Sequence, residues 1–362
     1  MDKFDETKLP PQDAFYNRLN DEPLLDVDYE HAHQVWKMFH CRTMRDYHDL
    51  YLQSDVYLLA DVFEKFRVDS QALYGLEPVH YYSIPGLCWD AALKHSDIEL
   101  ELVTDIDKYD MFEKGIRGGV SMISQRYAKA NDPRMGDEYN PNKPIKTLLY
   151  IDANSLYPTG MCLPLRIDKF EWIDNLDECN VIEIADDAEY GCVLEVDGET
   201  PTEKHDLFSD YPLTPEKMCV KRSMLSPFQQ EHFPMGKSTE KLVPHLGKVE
   251  KYVILYRLLK SLIKLGFKVT KIHRGIFFRQ GPWLKSFMEL NIERRREAAL
   301  SGDRARVGTT KMVMNTVFGK TMENVRKHVN IELLTSRKFA KKRIAKPTFK
   351  SAKRFHDELL AV

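Results

Sequence analysis

The sequence has no C-x-x-C pair. Its six cysteines (Cys41, Cys88, Cys162, Cys179, Cys192 and Cys219) stand singly, and no histidine pair follows them at zinc-finger spacing. This argues against a structural zinc site and for reduced thiols in an intracellular, non-secreted protein, with nucleus and cytoplasm both open. No run approaches the roughly 18 uninterrupted apolar residues of a membrane span, so no membrane partner is expected. The N-terminus, Met1-Asp2-Lys3-Phe4-Asp5-Glu6, is acidic where a secretory leader would be basic and then apolar. Internal repeats and low-complexity tracts are also lacking, which excludes solenoid and fibrous architectures. Net charge is nearly absent, with 53 Lys+Arg against 55 Asp+Glu. That balance conceals a polarity: residues 301–362 hold 15 basic and 5 acidic side chains, so the acidic excess lies in residues 1–300. A basic C-terminal segment on an acidic chain fits a polyanionic partner or a solvated charged face, and charge alone does not choose between them.

What is present is enough for a substantial core. The chain has 362 residues, 43% apolar and 11% aromatic, which suits two or three domains and excludes whole-chain disorder. Residues 1–28 read as an acidic, Pro-containing linker, and residues 29–67 show helical periodicity through Val35, Met38, Tyr51, Leu58, Leu59, Val62 and Phe63. A helix near 88–95 precedes a loop, Gly115-Ile116-Arg117-Gly118-Gly119. The polar, turn-rich stretch from Asn131 to Lys143 reads as a boundary. Beyond it, Lys146-Thr147-Leu148-Leu149-Tyr150-Ile151 has the length and composition of a strand, and strands dominate to residue 200. Residues 201–245 suggest loops and an inserted subdomain. Tyr252 to Leu265 reads as part of an amphipathic helix over 250–265 closed by Gly266, followed by a strand near 267–278 and helices near 282–300 and 304–325.

Two constellations carry chemistry. The first is Asp152-Ala153-Asn154-Ser155-Leu156-Tyr157-Pro158. An aspartate at the end of a strand, followed at once by a turn, places a carboxylate beside backbone amides, which suits a hard divalent cation held against phosphate oxygens. The competing reading is an aspartate that caps the next helix. A string with five specified positions, D-x-x-S-L-Y-P, arises by chance in such a chain at roughly one in 10,000. The second is Lys311-Met312-Val313-Met314-Asn315-Thr316-Val317-Phe318-Gly319-Lys320. On a helix, Lys311, Asn315 and the Phe318/Gly319 pair share one face, offering a cation for a triphosphate and a flat floor for a base pair. The alternative is an ordinary amphipathic helix with Met312 and Val313 in a core.

Together, D-x-x-S-L-Y-P and K-x-x-x-N-[ST]-x-[FY]-G resemble motifs A and B of family B DNA polymerases. The text around Leu290-Asn291-Ile292-Glu293-Arg294-Arg295, Asn315 to Asn324 and Tyr252 to Arg274 is similar to the protein-primed branch of transposons, linear plasmids and viruses. Tyr51-Leu52-Gln53-Ser54-Asp55 resembles the Y-x-x-x-D third motif of the 3′–5′ proofreading exonuclease. The resemblance implies an α+β fold with six parts. These are a remnant of a ribonuclease-H-like exonuclease domain (1–75), a connecting region with a Gly-rich template-binding loop (76–130), the first part of the palm with motif A (131–164), a palm-associated insertion subdomain (165–280), helical fingers with motif B (281–326) and a basic insertion (327–362).

The roles follow by resemblance. Asp152 binds the catalytic Mg²⁺ ions, the Ser155-Leu156 backbone contacts the triphosphate, and Tyr157 stacks under the sugar and excludes a 2′-hydroxyl. Lys311 pairs with the dNTP triphosphate, while Asn315, Phe318 and Gly319 support the nascent base pair. Arg295 is the second triphosphate cation, within a register of one among Arg294, Arg295 and Arg296. Arg117, Gly118 and Gly119 grip DNA, with Gly118-Gly119 forming either an anion-holding nest or a plain turn, and Ile116 standing in the place of the family's tyrosine. Lys341, Lys342 and Arg343 lie in the basic run Arg337 to Arg354, for which phosphate contact, a solvated face and a localisation signal stay open. Tyr51 and Asp55 are exonuclease remnants, Asp55 as a metal ligand. The expected partners are DNA primer-template, dNTPs and a terminal priming protein.

The same resemblance points to gaps. The sequence contains no Y-x-D-T-D string, the motif C that supplies the second metal-binding carboxylate. Phe355-His356-Asp357-Glu358-Leu359 offers an acidic pair without strand character. The first two exonuclease motifs are lacking before Tyr51 as well. The expectation is therefore a polymerase whose two-metal site is incomplete in this chain, with the second palm half and thumb missing and an exposed edge under motif A. The alternative is a non-catalytic fragment that binds primer-template or nucleotide.

Overall fold

In the computed structural model, which describes residues 2–176, 180–232 and 239–362, the chain divides into two units, Met1–His95 and Ser96–Val362. The first is helical. The single periodic stretch read over 29–67 is two helices, α1 (Asp26–Met38) and α2 (Met44–Tyr74). They are separated where His40 takes a left-handed φ of 55° and Thr43 starts a capping box. Asp46 accepts from the Thr43 backbone N–H at 3.0 Å and its own N–H donates to the Thr43 hydroxyl. Gly75, at φ 62°, ends α2 in the left-handed conformation that costs glycine least. Leu52, Val56, Leu59 and Phe63 recur along α2 at helical spacing and are all exposed. Helix α3 (Ile84–Ser96) closes this segment and buries Leu87, Cys88, Ala91 and Ala92. Burial pushes the Cys88 thiol up to about 12. Cys179 lies outside the described residues.

The second unit is built on a four-stranded antiparallel sheet, order β1-β6-β2-β5, with β1 Leu165–Trp172, β2 Tyr190–Glu199, β5 Val249–Leu255 and β6 Lys268–Gly281. Both faces are covered, so its strands alternate between two cores. Cys192, Leu194 and Val196 of β2 join Tyr252 and Ile254 of β5 beneath helix α8 (Tyr256–Leu265), which contributes Tyr256, Leu259 and Leu262. Val193, Val253, Ile276 and Phe278 point the other way, onto Met111 of helix α4 (Ile106–Gly115). The helix expected over 250–265 is therefore half strand. Val253-Ile254-Leu255 pairs with Val193, Leu194 and Glu195 instead of coiling, because a short branched apolar run gains more from ladder bonds and two-sided burial than from helix propensity. From Tyr256 the helix does form, and it ends at Gly266 (φ 105°), with the Phe267 N–H donating to the Leu262 carbonyl at 3.0 Å.

Between β2 and β5 lie helices α6 (His205–Phe208) and α7 (Pro227–His232) and a two-stranded ribbon, β3 (Glu216–Cys219) with β4 (Glu240–Val243). After the sheet, helices α9 (Lys285–Leu300) and α10 (Arg304–Thr321) form a hairpin. It turns at Gly302 (φ 75°), and Asp303 caps α10 by accepting from the Arg306 N–H at 2.9 Å. The chain closes on a small sheet, order β7-β9-β8, of Leu333–Leu334, Leu359–Ala361 and Lys353–His356, beside helix α11 (Arg337–Ile344). Phe355 to Leu359 thus has the strand character its sequence did not suggest. Asp357 and Glu358 form the turn of the hairpin, and Arg354 pairs with Asp357.

Candidate functional site

Between α4 and β1 the chain leads to helix α5 (Leu156–Met161), and here one expectation is corrected. The polar, turn-rich stretch after Asn131 is held by its own hydrogen bonds. Asn131 donates its side-chain amide to the carbonyls of Asn140, Lys143 and Pro144 at 3.0–3.2 Å and accepts from the Asn140 N–H at 2.9 Å. Asp132 holds Arg134 in a two-point ion pair and accepts from the Thr147 hydroxyl at 2.6 Å. These contacts, with the Arg134 bonds foremost, hold its carboxyl well below the usual range.

The run Lys146 to Ile151, by contrast, is not a sheet strand. Only Lys146 pairs, through a bridge to Asn131, and Leu148, Leu149, Tyr150 and Ile151 are exposed. Its composition suits a strand, but among the described residues no neighbouring strand offers the ladder bonds that would make it one. Asp152 stands at the end of this run, exposed.

The turn after Asp152 is tight. Ser155 takes φ 54° and ψ 38°, a left-handed conformation uncommon for a residue with a side chain. Its carbonyl accepts from both the backbone N–H and the hydroxyl of Thr159, at 3.0 and 2.9 Å. Pro158 and Met161 are buried where α5 packs on α9 and α10, while Leu156 and Tyr157 stay exposed. Beyond α5, Arg257 donates to the Pro164 carbonyl at 2.7 Å and to Gln280 at 2.9 Å, fastening the exit of this segment to the sheet.

Helix α10 divides as its spacing suggests. Thr310, Val313, Met314 and Val317 are buried, and Lys311, Asn315 and Gly319 are exposed on the opposite face with Phe318 half-buried beside them. Of the pair that the ordinary amphipathic reading would bury, Val313 is buried and Met312 lies on the exposed side. A shallow depression of about 400 Å³ is lined by Gly308, Lys311, Met312, Asn315 and Thr316. The two constellations meet at one contact: the rings of Tyr157 and Phe318 stack with centroids 4.3 Å apart and planes 7° from parallel. Residues 161 positions apart in sequence thus share one aromatic surface, with Lys311 and Asn315 on the same helix face.

The remaining expected residues fall as follows. Arg295 is half-buried on α9, one helical turn beyond the buried Asn291. Arg294 is also half-buried, with Nη1 inaccessible to solvent, and exposed Arg296 pairs with Glu293 at 3.6 Å. Arg117 is half-buried and turned back onto the sheet. It donates to the Val253 carbonyl at 2.6 Å and lies 3.7 Å over the Tyr252 ring, and burial pulls its pKa below the usual guanidinium value. Gly118 and Gly119 are open but neither takes a positive φ, so the alternating backbone of an anion nest is not formed. In the last turn of α11, Lys341 and Lys342 are exposed, while Arg343 donates to Glu332 at 2.7 Å. Tyr51 and Asp55 sit exposed one turn apart on α2.

The α+β chain thus gathers an aspartate-bearing turn, a lysine-bearing helix and a shared aromatic platform. The chain belongs to the family of type B DNA polymerases described as organellar and viral, which matches residues 36–353. No curated protein and no solved structure matches the chain. Family B polymerases act on DNA and dNTPs with two Mg²⁺ ions, and the residues gathered here do not fit that pair. Among the described residues no three His, Cys, Asp or Glu side chains converge, and Asp152 offers one carboxylate where two bridged octahedral ions need several oxygens. Among the described residues no helix is long and apolar enough to cross a membrane.

Proposed function

We propose that this chain binds an incoming dNTP and primer-template as part of a DNA-directed DNA polymerase that replicates a protein-primed mobile or viral element. The Tyr157–Phe318 stack carries this reading. It supports a site in which the triphosphate lies along Lys311 and Arg295, the base pair over Asn315, Phe318 and Gly319, and the sugar against Tyr157. Rings 4.3 Å apart leave no room for a nucleotide between them. Entry of the nucleotide therefore parts the stack, at a cost of about 0.5–1.5 kcal/mol that the new base and phosphate contacts offset.

In this reading residues 131–164 and 281–326 are palm and fingers, 165–280 an insertion on the palm, and 1–75 an exonuclease remnant. The basic tract around Lys341 and Lys342 lies against DNA, and a terminal protein is a further partner. A second reading, binding without turnover, is favoured because no three carboxylate, His or Cys side chains converge among the described residues.

One experiment separates them. The chain is given labelled primer-template, dNTPs and Mg²⁺, and both binding and extension are measured for wild type and Asp152→Ala. Extension lost in the variant supports the enzyme, and binding without extension supports the second reading. Absence of any dNTP or primer-template binding overturns both.

A further inference from the structure

We infer that Arg326 is a positioning residue that locks the end of the nucleotide-binding helix α10 to helix α4, and so couples the dNTP site to the Gly115–Gly119 loop. The inference rests on the dNTP-binding reading of α10 proposed above. Arg326 lies in a short turn, Val325–Lys327, and its backbone N–H donates to the Asn324 side chain at 3.1 Å. Its Nε donates to both carboxylate oxygens of Glu113, at 3.0 and 2.9 Å, and its Nη2 donates to Asp110. The guanidinium carbon also lies 5.2 Å from the ring centroid of Tyr109.

Residues 109, 110 and 113 occupy one face of α4, whose other face buries Met111 on the sheet. The planar fork of arginine can engage two carboxylates and an aromatic face at once, which a lysine ammonium cannot. The short link from α10 is braced in turn. Glu323 accepts from Lys320 at 2.5 Å and from His328 at 2.6 Å, so the chain between Gly319 and Arg326 is held at both ends. Glu113 and the link also wall a cavity of about 640 Å³ that includes Ile116 and Arg117.

Arg326 is seven residues beyond Gly319, and Glu113 is two residues before Gly115. Each end of the clamp is therefore within about two helical turns of a segment that the family resemblance assigns to substrate, dNTP on α10 and template at the open Gly118-Gly119 backbone. Movement of the Gly loop on binding template passes to α10 through this fork, and dNTP binding on α10 passes back with equal strength.

The test uses the full chain with primer-template at low ionic strength, because the clamp is half exposed and salt weakens it. The dNTP dissociation constant is measured with and without primer-template for wild type, Arg326→Ala, Arg326→Lys, Asp110→Asn/Glu113→Gln and the triple variant. Wild type is expected to bind dNTP more tightly with primer-template present, and Arg326→Ala to lose about fivefold of that gain. Arg326→Lys recovers only part of it, and the triple variant is no worse than Arg326→Ala, since the partners act through the same fork. Hydrogen exchange is expected to quicken together over residues 106–119 and 320–327 in Arg326→Ala, with the sheet strand 190–199 unchanged. Exchange that quickens in only one segment, or an unchanged gain from primer-template, overturns the coupling while the dNTP site stands. Wild type that binds no dNTP overturns the underlying reading, and this inference with it.

Discussion

Replacing Lys311 with alanine isolates the phosphate-binding part of the proposed site. Lys311 is exposed on α10 and makes no ion pair among the described residues, so its removal orphans no partner. Alanine is also the stronger helix former, and an exposed substitution of this kind changes stability by less than about 0.5 kcal/mol. The folded protein is therefore expected to keep its melting temperature. A hydrogen bond between a charged donor and a phosphate contributes about 1.5–3 kcal/mol, which corresponds to a roughly 10- to 150-fold weaker dNTP dissociation constant. Fluorescence titration with a labelled dNTP reads this directly. The paired titration uses the matching deoxynucleoside, which lacks the phosphates and is expected to bind wild type and variant alike. Lysine is a compact point charge, so Lys311→Arg is expected to retain most of the affinity. Equal losses for nucleotide and nucleoside, or no loss for either, would refute the placement of the triphosphate along α10.

Three further expectations follow from particular contacts. Tyr157→Ala removes the ring proposed to lie against the sugar, and the ratio of dNTP to NTP dissociation constants is expected to move toward one; an unchanged ratio would dismiss Tyr157 as the sugar gate. A Cβ added at Gly198 would stand 2.4 Å from Phe267 Cζ and 2.8 Å from the Lys268 carbonyl oxygen. Gly198→Ala should therefore cost about 1–3 kcal/mol and lower the melting temperature, and an unaltered melt would show that the β2–β6 contact is looser than described. Asp197 accepts from the Lys251 N–H at 2.7 Å and pairs with His273 at 2.8 Å, contacts that lower its pKa. Its contribution is fully present above the ordinary carboxylate pKa of about 3.9 and fades as pH falls from there through its lowered folded value. Asp197→Asn should flatten the acid limb of a stability-against-pH curve, and an identical limb would contradict the assignment.

Helical periodicity was the most legible signal in the sequence. The two helices α9 and α10 and the exposed face of Lys311, Asn315 and Gly319 follow from spacing, while the turn at Gly302 between them does not. Short apolar runs misled, because length and branching do not say whether a partner strand exists. Val253-Ile254-Leu255 found partners in β2 and became strand, while Leu148 to Ile151 found none and stayed exposed. Glycine-rich spacing suggested a loop at 115–119 but not that Arg117 would turn back onto Tyr252. The Arg326 fork was invisible because its partners lie 213 and 216 residues away. The Asn131 loop did leave a trace in its Asn-, Asp- and Pro-rich composition, which reads as well as a self-bonded turn system as it does as a linker.

The two halves of the proposed site are unequally built. On the nucleotide side, Pro158 and Met161 are buried where α5 packs on α9 and α10, and Tyr157 is fixed against Phe318 by near-parallel stacking. Arg257 holds Pro164, and Thr159 satisfies the Ser155 carbonyl, so the strained turn at Ser155 is braced from its C-terminal side. On the metal side, the nearest fixed points before Asp152 are the bonds of Asn131 to Lys146 and of Asp132 to Thr147, and the residues between carry exposed apolar side chains. A run without ladder bonds does not locate the Asp152 backbone to the fraction of an ångström that a binding site needs. The frame behind the nucleotide face is therefore set by the packing of α5 on α10, with the Tyr157–Phe318 stack left to open, whereas the run before Asp152 has no ladder bonds among the described residues. Within one motif of seven residues, packing has set Pro158 and left Asp152 exposed at the end of an unpaired run.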